Sequence, residues 1–329
     1  MILDRYVKVF TTIVVAVLGI LALGLNLAEA GPPRLPLSVS GPSWRPLSQR
    51  VDPQLQARLE QAVQQHAAWR PLLAQGKMSV GLVDLSNPKA PRAALVNGNT
   101  MMYGASLPKL MVLLAAFQGF EDGTLKETSE VHRDLIEMIR RSDNPAASRM
   151  IGRIGLKKIE ALASDRRYQF YDPKKGGGIW LGGTYSHGGE VNPEPITGLS
   201  HTATAYQLCR FYYLLAYGRL ISPERSRQML KILAFPDLPG KFVSVLEKSV
   251  PPNYLYRKSG EVRGFHADSI LVWGEAAWQR YILVCMIDDG GGEKILKDLV
   301  PVAEAVLRPS RPLRSGEIKK KTPSDRARK

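Results

Sequence analysis

Apolar residues recur at helical spacing over residues 55–73 (Leu55, Leu59, Val63, Ala67), which predicts an amphipathic helix. Residues 78–84 and 93–96 read as strands separated by a turn around Asn87-Pro88. Residues 107–120 are apolar on nearly all sides, the mark of a helix at the centre of a core. A second helix follows over 131–141, and Asn144-Pro145 opens a third. Residues 168–200 are rich in Gly and Pro and show no period, so they read as a long functional loop. Helical patterns return over 203–217 and 223–233. Three strands follow over 254–258, 267–273 and 280–288, and a closing helix spans 295–307. Strands at both ends of the chain with helices between them imply an α+β fold. A mainly antiparallel sheet is flanked by N- and C-terminal helices, with an all-helical lobe beside it.

The flanks differ from this body. Residues 1–8 carry Arg5 and Lys8, residues 9–27 are almost uninterruptedly apolar, and Ala28-Glu29-Ala30 precedes Gly31-Pro32-Pro33. That is the layout of a secretory signal peptide, and the apolar run is also long enough for an uncleaved anchor. Either way the body is expected outside the cytoplasm, in the periplasm or held at the outer face of the inner membrane. Residues 31–54 hold many prolines and read as a linker, leaving 55–307 as the folded domain. Composition changes this picture little: 44% hydrophobic and 23% charged residues are globular values. Of the net charge of +15, +7 lies in residues 308–329, where nine basic residues face Glu317 and Asp325. That segment is too polar to fold alone and reads as a solvated tail, with contact to the cell envelope as the sharper alternative. No nucleic-acid partner is expected, and a monomer is. Two cysteines exclude a disulfide scaffold; Cys209, in a helical pattern, and Cys285, in a strand pattern, read as buried thiols.

Three short motifs carry the chemistry. Ser106-Leu107-Pro108-Lys109 opens the central helix, Ser142-Asp143-Asn144 lies at a helix junction, and Lys258-Ser259-Gly260 ends a strand. Residues three apart share a helix face. Lys109 precedes Leu-Met-Val-Leu-Leu-Ala-Ala, so its amine is expected to be partly buried, of lowered pKa and able to act as a base. A serine hydroxyl beside such an amine is an activated nucleophile, and a helix start favours a developing oxyanion. Ser142 can pass a proton and Asn144 can bond a substrate amide. Lys258 and Ser259 can hold a carboxylate, and Gly260 lets a substrate lie along the strand.

In this order the motifs are the signature of class A β-lactamases and penicillin-binding proteins. From about residue 55 to 307 the chain resembles the class A branch of the penicillin-recognising serine hydrolases. The segments 258–268 and 214–222 also look like that family's. The resemblance implies Ser106 as the acylated nucleophile, Lys109 as its base, Ser142 as proton shuttle and Asn144 as a substrate contact. It implies Lys258 and Ser259 as carboxylate anchors, and the amides of Ser106 and Glu261 as the oxyanion hole. Neither a cofactor nor a metal is implied. The expected reaction is hydrolysis of β-lactam-like amides through an acyl-enzyme at Ser106. The alternatives are a D-Ala-D-Ala carboxypeptidase acting on peptidoglycan peptides with slow deacylation, and a non-catalytic envelope-binding protein.

Two features depart from the family pattern. Ser106 and Ser142 are only 36 residues apart, so a piece of the helical lobe is missing. The loop glutamate that positions the deacylating water stands in a Glu-x-x-Leu-Asn pattern, and Glu190 and Glu194 are the candidates here, though neither fits it. Without such a glutamate acylation should survive and deacylation should slow. A Ser-His-Asp hydrolase is set aside because Gly104-Ala-Ser-Leu-Pro108 lacks the last glycine of the nucleophile elbow. His66, His132, His187, His201 and His266 have no metal-type spacing and read as structural, with His266 the one expected near the cleft. The glycine cluster at 176–183 is a flexible-loop signal rather than a nucleotide-binding one.

Overall fold

A computed structural model describes residues 34–38, 44–186, 188 and 190–308; the export segment, His187 and all but the first residue of the basic tail lie outside these residues. In chain order the elements are α1 (Pro53–Gln64), α2 (Arg70–Ala74), β1 (Met78–Asp84), β2 (Arg92–Val96), β3 (Met102–Tyr103), α3 (Lys109–Glu121), α4 (Ser129–Arg140), α5 (Asn144–Ile154) and α6 (Leu156–Ala163). The short strands β4 (Tyr171–Asp172), β5 (Gly177–Gly178), β6 (Trp180–Leu181) and β7 (His201–Ala203) follow. Then come α7 (Ala205–Ala216), α8 (Pro223–Leu233), α9 (Val243–Leu246), β8 (Leu255–Val262), β9 (Phe265–Trp273), β10 (Arg280–Asp288) and α10 (Gly292–Leu307).

The main sheet has the order β2-β1-β10-β9-β8 and is antiparallel throughout. It is built from the two ends of the chain, as the α+β pattern implies. Alternation along β10 assigns its two faces. Tyr281, Leu283, Cys285 and Ile287 join a core with α1, α9 and α10. Ile282, Val284 and Met286 join a larger core with α3 to α8. Cys209 lies in the larger core and Cys285 in the other, so the free thiols are buried on opposite sides of the sheet. Helix α7 packs directly on β1: a Cβ at Gly81 would stand 2.5 Å from Cys209 Sγ, which explains the glycine.

Local signals fix many element starts. Asp52, Thr128, Asp143, Thr204 and Ser222 cap α1, α4, α5, α7 and α8 by accepting from a backbone N–H three residues on. The structure differs from the sequence expectation in four places. The helix expected over 55–73 breaks after Gln64 and restarts at Arg70, because Pro71 has no N–H and restricts Arg70 before it. The proline-rich segment before residue 55 is partly docked, with Leu37 and Leu47 buried and Leu37 N–H donating to Ala216 O at 2.6 Å. The loop over 168–200 is tied down by β4–β5 and by β6, which pairs with β7. Finally, β8 runs through Lys258-Ser259-Gly260 and ends at Val262 rather than stopping at the motif.

Behind that motif, Arg257 and Asp268 form a buried ion pair across β8 and β9, with Nε–Oδ1 at 2.8 Å and Nη2–Oδ2 at 2.7 Å. Asp268 also accepts from the Phe242 and Ser269 amides, both at 3.1 Å. Removing one partner of a buried pair leaves an uncompensated charge. Asp268→Ala is therefore expected to lower stability by about 3–5 kcal/mol, measured as a fall in the urea midpoint.

Candidate active site

The Ser-Asp-Asn motif is a helix junction with a defined geometry. Ser142 follows α4 with φ of 57°, in the left-handed region, while the N–H groups of Arg141 and Asp143 both return to Glu137 O at 3.1 Å. A non-glycine residue there is strained. The turn brings both oxygens of Ser142 to lysine amines. Lys109 Nζ donates to Ser142 O at 2.7 Å and to Asn144 Oδ1 at 2.7 Å, and lies 3.4 Å from Ser142 Oγ. Lys258 Nζ donates to Ser142 Oγ at 2.8 Å and to Ser259 O at 2.6 Å.

Both lysines are fully buried. Burial pushes the Lys109 amine down to about 7, against an opposing pull from Asp143. Burial also drives Lys258 well below its ordinary value, helped by the charges of Lys109 and Arg257. A neutral amine has two N–H donors and one lone pair. The two short bonds of Lys109 use its donors and leave the lone pair free to accept a proton.

Ser106 sits in the turn before α3, not on the helix, which begins at Lys109. Ala105 precedes it at φ of 46°, a second strained position. Three contacts hold this turn. Gly104 N–H donates to His201 O at 2.6 Å, and Tyr185 OH donates to Ala105 O at 3.2 Å. Strand β8 lies against it: a Cβ at Gly260 would stand 3.1 Å from Gly104 O and from Ser106 N. The glycine thus lets the Gly260–Glu261 backbone approach the Ser106 amide, where the oxyanion pair is expected.

A cavity of about 400 Å³ opens beside Ser106, lined by Asn144, Tyr103, Tyr185, His201, Glu261 and the Gly182-Gly183 backbone, among others. Of the residues expected from sequence, the structure brings Ser106, Lys109, Ser142, Asn144 and Lys258 together, with Ser259-Gly260-Glu261 along one wall. It does not bring in the loop glutamates. Glu194 is buried, but its carboxylate closes its own loop, accepting from Thr197 N at 2.6 Å, Thr197 Oγ1 at 2.7 Å, Ile196 N at 3.0 Å and the Tyr171 hydroxyl. Burial would raise its pKa; these bonds outweigh that and hold it below the ordinary value. Glu190 is exposed, and its charge acts on Glu160, whose pKa is raised first by burial and then by that neighbour. Glu261 lines the cavity, yet its Oε2 turns to Lys241 at 3.2 Å and His266 at 3.7 Å.

Two other expectations are corrected. His266 is packed against Gly292 at the start of α10 and is not on the cavity lining. His201, read as an isolated structural residue, is on it. Tyr103 and Tyr185 were likewise not singled out by sequence reasoning. The Tyr185 ring centroid is 4.3 Å from Lys109 Nζ. A signal for His201 existed in its place one residue before Thr202-Ala203-Thr204, the strand end and cap that lead into α7. Among the described residues no cluster of three His, Cys, Asp or Glu side chains could hold a metal ion.

A family model described as the beta-lactamase enzyme family matches residues 132–301, just over half of the 329 residues. The chain belongs to the beta-lactamase enzyme family. The matched range contains the Ser142 and Lys258 motifs, with the Ser106 turn N-terminal to it. Solved structures give the same fold to this family member. A beta-lactamase from Sphaerobacter thermophilus DSM 20745 superposes with a TM-score of 0.59 at 16% identity, over 78% of this chain and 98% of that one. PBP-A gives 0.53 at 18% identity, over 82% and 98%. A PBP-A mutant solved as an acyl-enzyme complex with penicillin G gives 0.52 at 19%, over 80% and 96%. A search of curated proteins finds no match.

The lowered Lys109 pKa gives a pH dependence to any acylation at Ser106 that uses this amine as its base. An amine must be unprotonated to take the Ser106 proton, so the rate of acylation by a penicillin is expected to rise with pH through about 7 and then level off. Lys109→Arg, which stays protonated, is expected to lose that rise and to acylate at least ~100-fold more slowly. Intact-mass kinetics at several pH values measure both.

Proposed function

We propose that this chain is an exported serine hydrolase of the β-lactamase type. It cleaves an amide that carries a neighbouring carboxylate, through an acyl-enzyme at Ser106. The observation that carries this reading is the buried pair of amines around Ser142, with Lys109 pushed down to about 7 beside the Ser106 turn. In the proposed cycle, Lys109 takes the Ser106 proton as Oγ attacks the carbonyl carbon. The Ser106 and Glu261 amides receive the oxyanion, and the proton passes through Ser142 to the departing nitrogen. Lys258 and Ser259 attract the substrate carboxylate and Asn144 bonds its amide. Export rests on the charged, apolar and small-residue succession of the first thirty residues.

A second reading, a D-Ala-D-Ala-type carboxypeptidase that holds β-lactams for longer, is favoured by one observation. Neither Glu190 nor Glu194 lines the cavity beside Ser106. PBP-A, one of the similar structures, shares the fold, and a mutant of that protein is solved as an acyl-enzyme complex with penicillin G.

Incubating the protein with benzylpenicillin, while following intact mass and free antibiotic, separates these readings. The expected outcome is consumption of the antibiotic through a transient adduct of its full mass, absent in Ser106→Ala. An adduct that persists without turnover moves the substrate to cell-wall peptides. An adduct retained by Ser106→Ala, or neither adduct nor turnover with both penicillin and an acyl-D-Ala-D-Ala peptide, overturns the proposal.

A further inference from the structure

The loop supplies no carboxylate to the cavity, yet a hydrolase must still activate water against the Ser106 ester. One polar side chain that the acylation steps leave unused lines the cavity beside Ser106. His201 is 5% exposed, lines the same cavity as Ser106, and has a buried Nε2 that makes no hydrogen bond of regular geometry. A buried polar atom without a partner is costly and calls for a ligand or a role. The position is built rather than incidental. The His201 carbonyl accepts from Gly104, two residues before Ser106, through the β3–β7 pairing. Its Nδ1 lies 3.0 Å from Ser200 Oγ. The Tyr185 ring packs against both His201 and Lys109, its centroid 4.5 Å from the imidazole at an interplanar angle of 53° and 4.3 Å from Nζ.

Resting on the acyl-enzyme reading above, we propose that His201 takes the part of the missing loop carboxylate, orienting the hydrolytic water against the Ser106 ester and accepting that water's proton at Nε2. In the tautomer that donates Nδ1–H to Ser200 Oγ, Nε2 carries the lone pair. The water oxygen bonds to the acyl carbon while one of its protons moves to Nε2. The tetrahedral intermediate then collapses, the bond from carbon to Ser106 Oγ breaks, and Oγ regains a proton through Lys109. The imidazolium returns its proton to that relay, and the product leaves as a carboxylic acid, so one water is consumed and nothing else changes. The ring is available as the base at neutral pH, since burial first and the Lys109 charge second hold it down to about 4. That basicity is close to the roughly 4.3 of an ordinary glutamate. The Gly183 carbonyl favours the charged ring, which is the form the step produces. The other titratable groups facing the imidazole are Tyr103 on β3, Tyr185 on the loop and Lys109 on α3.

The test measures acylation and deacylation separately with benzylpenicillin, by intact mass after removal of excess antibiotic. His201→Ala is expected to acylate within about twofold of wild type, while its adduct decays at least ~100-fold more slowly. Added imidazole is expected to restore part of the lost decay rate, which a purely structural residue would not show. Ser200→Ala, which removes only the Nδ1 partner, is expected to slow decay by a smaller factor. His201→Gln keeps a polar group without the basicity and is expected to decay as slowly as the alanine variant. Unchanged decay in His201→Ala with normal acylation overturns the role of His201 and leaves Ser106 acylation standing. If His201→Ala fails to fold, unchanged decay in both His201→Gln and Ser200→Ala overturns it. Failure of the wild type to form any adduct, with penicillin or with an acyl-D-Ala-D-Ala peptide, overturns the acyl-enzyme reading and this inference with it.

Discussion

Two lysine amines buried within reach of one serine hydroxyl are the constraint around which this molecule is arranged. Two like charges cannot both be held in a low-dielectric site, so burial and mutual repulsion drive at least one amine to neutrality. Asp143 and Asp268 oppose this only in part, and the surrounding structure supplies neutral acceptors: Ser142 O and Asn144 Oδ1 for Lys109, Ser142 Oγ and Ser259 O for Lys258. The two Ser142 acceptors are presented by its left-handed turn between α4 and α5. The strain of that turn, about 1–3 kcal/mol for such a residue, is offset by the two lysine bonds it receives. Central helix, helical lobe and sheet edge each contribute one member, so the site lies where the lobe meets the sheet.

The same logic extends to the nucleophile. Ala105 is held at a positive φ by neighbours on three sides: the β7 strand, the Tyr185 hydroxyl and β8 at Gly260. The loop over 168–200 is therefore part of the frame that holds the Ser106 turn. Its own integrity rests on Glu194, whose carboxylate gathers the Thr197 and Ile196 amides and the Tyr171 hydroxyl. A carboxylate committed to four donors stays ionised and fixed, which suits a clamp and not a base.

How much of this was legible in the sequence follows from the range of each interaction. The three motifs were legible because each is a short string whose residues act together locally, and their order along the chain is preserved in space. The sheet was legible because its strands alternate or run apolar without interruption. The turn at Ser106 was not, since Ala105 takes a left-handed conformation that nothing in its residue type announces. The helix break before Arg70 was signalled by Pro71 but masked by apolar spacing that continues through it. The placements of Glu194 and His201 were the least legible. Which side chain of a long loop faces a cavity depends on β6–β7 pairing and on hydrogen bonds closed within the loop, and neither leaves a period in the sequence.

The aromatic wall has an electrostatic consequence that links the two halves of the reaction. A carboxylate about 4 Å from Lys109 would favour its charged form by about 4 kcal/mol at an effective dielectric of about 20, or about 3 pKa units. The Tyr185 ring that occupies that distance instead favours the cation by only about 0.5–2 kcal/mol. Burial therefore prevails, and the amine is held at about 7 rather than near its ordinary value. A ring rather than a carboxylate at that distance thus leaves Lys109 in the form the proposed acylation needs, and supplies no carboxylate to activate water. In such a site the water-activating group must be one that carries no negative charge near Lys109. The neutral His201 imidazole proposed for that step, tilted against the Tyr185 ring, meets that requirement, because it would accept a proton only when the step occurs and leave the amine unprotonated until then.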